Sequence, residues 1–336
     1  MKYNFIIPLL LLVISACKNN PANSVTSVTD NKIHYRLVKN WPQLPDGFVL
    51  GDVTGIGIDT AQNIFAFHRS YTDWPILSSL PDTFITSKTI LELDRSTGKI
   101  LNSWGAGMFI MPHGLTVDQQ NNIWVTDVVL NQVFKFSHDG KLLMKLGVAR
   151  ISGDDSIHFN LPTDVAIATD GSFYVSDGYG NSRVVKFSAE GKFLFQWGTK
   201  GSKPGEFNIP HAISLDKNGN VYVADRENNR IQMFDANGKF LKEYKENNFG
   251  NLYAVNFDTI SNKLTAVDYI TSFGKPKGSD VFVFDSTGKI LTRFGRSGLY
   301  DGPVCRYHDI AVDKDGNIYT GDILDNHIQK FEKVFQ

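Results

Sequence analysis

One unit of sequence recurs six times along the chain, and a recurrence of that length restricts the fold more than any other feature. Four copies stand in register: H-G-L-T-V-D-Q-Q-N-N-I-W-V-T-D from His113, T-D-V-A-I-A-T-D-G-S-F-Y-V-S-D from Thr163, H-A-I-S-L-D-K-N-G-N-V-Y-V-A-D from His211 and H-D-I-A-V-D-K-D-G-N-I-Y-T-G-D from His308. Weaker copies begin at Thr54 and Tyr253. Each copy is two stretches of period-two alternation joined by a polar turn, the pattern of a β-hairpin rather than a helix. A third stretch follows (Q-V-F-K-F, R-I-Q-M-F), then a Gly-Lys turn, then a fourth (K-F-L-F-Q-W). Four short antiparallel strands in a repeat of about fifty residues are the signature of a propeller blade. The sixth copy ends at F-E-K-V-F without its fourth strand, and I-H-Y-R-L-V-K at 33–39 can supply it. Pairing the two ends would close the ring and remove its exposed edges. The expectation is an all-β, six-bladed propeller over residues 33–336 with no amphipathic helix.

The first strand of a blade lies nearest the axis, and its leading residue opens at one mouth of the central channel. Around the ring these residues are Thr54, His113, Thr163, His211, Tyr253 and His308. The histidines fall on blades two, four and six, which are about 120° apart in a six-bladed ring. With eight histidines in 336 residues, three among these six positions are far beyond chance. They either line a wet channel or hold a metal; three imidazoles with a fourth position open are a catalytic zinc arrangement. His34, His68, His138, His158 and His327 share no such register and read as surface or locally hydrogen-bonded residues. The D-K-D-G-N and D-K-N-G-N turns lack the later glutamate of a calcium-binding EF-hand and read as hairpin turns.

A second set of residues lies just beyond the closing Asp of the second strand. Arg69 follows F-H in blade one, Arg226 follows V-A-D in blade four, and Tyr179 stands in S-D-G-Y-G-N-S-R of blade three. Two guanidinium groups across a metal site suit an anionic, carboxylate-bearing substrate. The alternative is that each arginine is tied to a neighbouring acid such as Asp225.

Formal net charge is −1, with no basic stripe to attract nucleic acid. The start of the chain is separate in character. Lys2 precedes the apolar run F-I-I-P-L-L-L-L-V-I, then I-S-A-C, which resembles a bacterial lipobox. Residues 1–17 are therefore expected to be a signal ending at a lipidated Cys17, and 18–32 a polar tether. The alternative is ordinary cleavage and release. Lys18 favours outer-membrane or surface display, with the membrane as partner through the anchor. Cys305 would then be the sole remaining cysteine, read as a small buried hydrophobe.

The D-G-N-I-Y-V-x-D and N-x-R-I-Q-x-F patterns resemble NHL repeats. More specifically, F-I-M-P-H-G-L-T-V-D, Y-V-S-D-G-Y-G-N-S-R-V-V-K-F and V-A-D-R-E-N-N-R-I-Q resemble the peptidyl-α-hydroxyglycine α-amidating lyases, over roughly residues 45–333. The resemblance implies zinc on His113, His211 and His308. It implies Tyr179 as the base, acidified by the metal and the arginines, and Arg69 and Arg226 as carboxylate ligands. It implies a structural calcium held by the carbonyls of Ile56 and Leu115 and by Asp309. The implied reaction splits an N-acyl-α-hydroxyglycine into an amide and glyoxylate. Two departures stand out: Gly180 occupies the place of a disulfide cysteine of animal relatives, and R-Y-H-D replaces the usual Pro before His. A non-catalytic NHL scaffold binding partners at the cell surface remains the alternative. A calcium lactonase-type propeller is disfavoured by three imidazoles where oxygen ligands would be needed.

Overall fold

A computed structural model describes residues 33–74, 79–297 and 302–334. Cys17 and the tether lie outside the described residues. Six antiparallel sheets follow one another, each with strand order one-two-three-four. Their first strands are Val53–Ile58, Pro112–Val117, Pro162–Ile167, Pro210–Leu215, Asn251–Asp258 and Tyr307–Val312. The fifth blade carries one extra short strand, Lys275–Gly278. Among the described residues the only helix is a single 3-10 turn, Arg226–Asn228. The six-bladed propeller expected from the repeat is the fold.

The ring closes as the unpaired sixth copy required. His34–Leu37 pairs antiparallel with Ile328–Val334, from His34 opposite Val334 to Leu37 opposite Phe331. Tyr35 stacks on Phe294, which in turn meets Phe331 edge-on. The N-terminal strand therefore contributes packing as well as ladder hydrogen bonds.

Apolar clusters fill the seams between blades. Phe65, Phe67 and Ile90 of blade one pack on Phe109, Leu115 and Ile123 of blade two, and equivalent clusters occupy the other seams. The Gly-Lys turns belong to this packing. Gly140 adopts φ +88°, and a Cβ there would lie 2.8 Å from the indole of Trp104 in the preceding blade. A glycine satisfies both the left-handed backbone and the close approach. The D-K-D-G-N turns are held by their own aspartates: Asp313 accepts N–H bonds from Asp315 and Asn317 and the hydroxyl of Tyr319. They are hairpin turns, as read from sequence.

Removing residues up to 38 should expose the edge of Ile328–Val334. Thermal unfolding should fall by about 5 °C or more, since each kcal/mol lost in a domain of this size moves the midpoint by about 2–4 °C. Size-exclusion chromatography should show self-association; an unchanged midpoint and a monomeric profile would refute the closing role.

Candidate active site

The same irregularity starts every blade. Where the first strand pairs with the second, one residue is bulged out of register: Thr54, Thr163, His211, Tyr253 and His308, and in blade two the His113–Gly114 pair opposite Thr126. A bulge leaves the extra residue unpaired and re-aims its side chain. This explains why a histidine can head a strand that enters a core. The loop leading into each bulge is clamped by the acid that closes the second strand. Asp127 accepts from the N–H groups of Ile110 and Met111, Asp177 from Asn160, Asp225 from Asn208, Asp268 from Gly250 and Asp322 from Arg306. In blade one His68 takes that place against the carbonyl of Leu50. Ile209, next to Pro210, is held at φ +63°, a strained conformation for a β-branched residue.

The three bulged histidines converge. Their ring centroids form a nearly equilateral triangle with sides of 4.5, 4.8 and 4.8 Å, and all three side chains are buried. Their Nδ1 atoms reach the backbone carbonyls of the intervening blades: His113 to Thr163 (2.7 Å), His211 to Tyr253 (2.6 Å) and His308 to Thr54 (2.8 Å). A carbonyl oxygen only accepts, so each Nδ1 carries the proton and each Nε2 presents a bare lone pair. All six register positions thus build one site, three giving imidazoles and three giving carbonyls. Burial holds all three imidazoles well below their ordinary pKa, with the charge of Arg69 or the neighbouring histidines adding to it.

Tyr179 completes the cluster. Its hydroxyl is 3.0 Å from Nε2 of both His113 and His211. One phenolic proton cannot satisfy two bare lone pairs, so in one of the two contacts lone pair faces lone pair. A cation among the three Nε2 atoms and the phenol oxygen removes that conflict, and imidazole nitrogens with one oxygen are a donor set suited to zinc. The donors therefore fit the metal.

Tyr179 is held without a disulfide. Its N–H donates to Leu161, that of Gly180 to Asn160, and Trp74 lies 4.9 Å from its ring. A Cβ at Gly180 would sit 2.1 Å from the Asn160 side-chain amide, so a larger residue here requires Asn160 to move. Arg226 Nη1 is 3.3 Å from the Tyr179 hydroxyl, and its Nε bonds Glu227. Asp225 pairs instead with Arg230 at 2.7 Å, so the alternative that each arginine is tied to a neighbouring acid holds for Arg226 through Glu227 rather than through Asp225. Burial pushes the Tyr179 hydroxyl up, with Arg226 the strongest opposing influence. The arginines do act in the acidifying direction, but burial outweighs them and leaves this phenol above its ordinary value. Arg69 is buried, bonded through Nε to the Pro112 carbonyl and through Nη1 to Asp52 at 2.7 Å. Its Nη2 is buried with no hydrogen-bond partner among the described residues. Arg69, Tyr179, Arg226 and His308 line one cavity of about 400 Å³ together with Trp74, Tyr253 and Arg306.

Below the histidines, a second cavity of about 310 Å³ is lined by Ile56, Asp164 and Asp309. Asp309 accepts from the N–H groups of Ile56 (2.7 Å) and Ile310 (2.8 Å); Asp164 accepts in the same way from Ile213 (3.0 Å) and Val165 (2.8 Å). Burial, and then the charge of Asp164, hold Asp309 well above the usual carboxylate range, and burial pushes Asp164 up to about 7. Two mutually repelling carboxylates with no basic side chain on either among the described residues fit a bound cation.

The sequence register therefore brings together His113, His211, His308, Tyr179, Arg69 and Arg226, and places Ile56 and Asp309 together below them. Leu115 is buried in the seam of blades one and two, close beneath Gly55. Sequence reasoning missed Trp74, Asp164, Arg306 and the carbonyls of the odd blades. Asp164 could have been found: it follows the bulged residue of blade three as Asp309 follows that of blade six. Among the other histidines, His68 is buried and held near a pKa of about 4 by desolvation, while His138 bonds Asp59. Both fit local hydrogen-bonding roles.

Nitrogen NMR of the imidazoles should find all three site histidines as the Nδ1–H tautomer. An Nε2–H signal from any of them would contradict the carbonyl bonds described above.

A family model described as a 6-bladed beta-propeller matches residues 154–263, and one described as an NHL repeat matches residues 109–136. Peptidyl-glycine alpha-amidating monooxygenase A of Xenopus laevis is 38% identical over 93% of this chain, which covers 34% of that protein. Peptidyl-alpha-hydroxyglycine alpha-amidating lyase 2 of Drosophila melanogaster is 33% identical over 87% of this chain, which covers 73% of it. The chain thus spans about a third of the length of the vertebrate monooxygenases it matches and most of the insect lyase. A solved structure titled as a streptogramin B lyase superposes with a TM-score of 0.56 at 16% identity, over 90% of this chain and 98% of that one. A putative gluconolactonase gives 0.59 at 14%, over 91% and 95%. At those identities the likeness is one of fold alone. Similarity to the insect lyase over nearly three-quarters of its length makes this chain a member of the peptidyl-alpha-hydroxyglycine alpha-amidating lyase family.

Proposed function

We propose that the protein cleaves N-acyl- or peptidyl-α-hydroxyglycine to an amide and glyoxylate, with zinc on His113, His211 and His308 and calcium in a structural role. The observation that carries this reading is the meeting of three bare Nε2 atoms and one phenol at the floor of a cavity that also holds Arg69 and Arg226. Zinc bound there supplies Lewis acidity and a positive charge beside the phenol. The free Nη2 of Arg69 and the fork of Arg226 take the substrate carboxylate. That contact orients the α-hydroxyl toward Tyr179, which acts as base and removes its proton. The oxygen electron pair then forms the carbonyl of glyoxylate as the carbon–nitrogen bond breaks. The departing amide nitrogen takes a proton, and Tyr179 is the group placed to return it. Arg226, 3.3 Å from the phenol oxygen, steadies the phenolate while the proton is away. The buried, tautomer-locked ring disfavours a plain scaffold, whose channel would not need three aligned lone pairs.

Calcium is assigned to the lower cavity, on Asp309 with the carbonyls of Ile56 and Leu115. Support comes from the two uncompensated carboxylates there. It also comes from the Ile56 N–H, which points out of its ladder toward Asp309 and so puts the Ile56 carbonyl on the same side.

Zinc-loaded protein should release glyoxylate from α-hydroxyhippurate. Tyr179→Phe should keep fold and zinc but lose about 10²–10⁴-fold in rate, the usual worth of a general base. His211→Ala should lose the metal by elemental analysis. Folded, zinc-loaded wild type that yields no glyoxylate above background would end the lyase reading for this substrate class.

Cell-envelope anchoring through Cys17 is proposed on the lipobox-like I-S-A-C alone. Cys17→Ser should move the protein from the membrane to the soluble fraction; unchanged fractionation would refute the anchor.

A further inference from the structure

Three guanidinium groups open onto the upper cavity, and the reaction above uses two. The third is Arg306. Arg69 is neutralised by Asp52 and Arg226 by Glu227. Among the described residues Arg306 has no carboxylate within ion-pairing distance of its guanidinium. Its contacts are aromatic and phenolic. The guanidinium lies over the rings of Tyr253 (5.1 Å) and Tyr269 (4.8 Å), and both Nε (3.1 Å) and Nη2 donate to the Tyr253 hydroxyl. Arg226 also lies over the Tyr253 ring, at 5.0 Å.

This arrangement has two consequences. Stacking on tyrosine rings fixes the plane of the guanidinium and leaves remaining N–H donors for a ligand. The Tyr253 oxygen accepts two N–H bonds, which uses both of its lone pairs, so its own proton is left to donate. Arg306 and Tyr253 together form a donor pair facing the cavity; Asp52, which feels the Arg306 charge, is already paired with Arg69, and among the described residues no acid pairs with the Arg306 guanidinium. Asp73 at the rim is the one other acid lining the cavity besides Asp52, and it forms no ion pair among the described residues. Half-buried cations without a partner are costly, and they are retained where a ligand supplies the counter-charge. One carboxylate of an α-hydroxyglycine cannot occupy all three guanidinium groups. The walls near Arg306 are apolar, formed by Ile323 and Leu324 with Trp74 across the cavity.

We propose that Arg306 and Tyr253 form a second anion subsite, and that the preferred substrates are N-acyl-α-hydroxyglycines whose acyl part carries a further carboxylate beyond an apolar spacer. The proposal rests on the lyase reading for the first carboxylate and adds the chemistry of the acyl group.

The test compares α-hydroxyhippurate with its analogue bearing a 4-carboxylate on the benzoyl ring, using zinc-loaded wild type and Arg306→Gln. Wild type should favour the dicarboxylate by about tenfold in kcat/KM, the scale of one charge-assisted hydrogen bond. In Arg306→Gln that ratio should fall to about one. An equal ratio in the two proteins overturns the subsite, because Arg306 would then hold a group common to both substrates or none. The failure of the lyase reading is distinguishable. If neither substrate yields glyoxylate, calorimetric binding of benzoylglycine and 4-carboxybenzoylglycine still reads the subsite. Tighter binding of the dicarboxylate by wild type alone supports it, and equal binding overturns it.

Discussion

Everything at the channel mouth depends on three hydrogen bonds from imidazole Nδ1 to a backbone carbonyl one blade further round. Each bond does two things. It chooses the tautomer, leaving Nε2 bare, and it ties the bulged residue of an even blade to the bulged residue of the next odd one. Backbone carbonyls do not change with side-chain identity. The odd positions can therefore be Thr54, Thr163 and Tyr253 without harm to the imidazoles they orient. That freedom lets the odd positions take other work, and Tyr253 does so by lying under Arg226 and accepting from Arg306.

The charges around this ring oppose one another in a way that burial decides. Buried and surrounded by arginines, the histidines are held neutral, so their Nε2 lone pairs stay free to coordinate. Buried too, the phenol of Tyr179 is pushed up rather than down, despite Arg226 at its edge. The two effects have one origin: removal of water disfavours charge on whichever group would carry it. A cation placed among these groups favours the bare imidazoles and the phenolate together. The arginines cannot do both: Arg226, 3.3 Å from the phenol oxygen, favours the phenolate but has no lone-pair acceptor to offer the bare imidazoles. The lower cavity shows the same logic for acids, where burial raises both Asp164 and Asp309 and the charge of Asp164 raises Asp309 further.

The repeat made the fold legible because period-two alternation, turn chemistry and a spacing of about fifty residues all pointed to one architecture. The missing fourth strand even located its replacement at His34–Leu37. The histidine triangle was legible for a related reason: a fixed offset in a repeat becomes a fixed place on a ring. What escaped was contact that the register does not encode. Trp74 reaches Tyr179 from a loop with no counterpart in other blades. The apparent choice of Asp225 as a partner for Arg226 failed because that acid is already committed to Arg230 and to the loop ahead of His211. The acid that Arg226 does pair with is its other neighbour, Glu227, in the 3-10 turn that follows the strand.

The aspartates that close the second strands show why the site and the fold cannot be separated here. Asp127, Asp177, Asp225, Asp268 and Asp322 are each fully buried, and each binds the backbone just ahead of a bulge. As repeat features they look like punctuation between hairpin strands. In the structure they set where the axial residue emerges, so they position all blades whether or not the axial residue does chemistry. Blade one alone replaces this acid, with His68 bonding the carbonyl of Leu50. The next residue along is Arg69, the one arginine of the cavity with a buried, unpartnered nitrogen. His68, kept neutral by burial, clamps the loop without adding a second charge beside the Arg69–Asp52 pair.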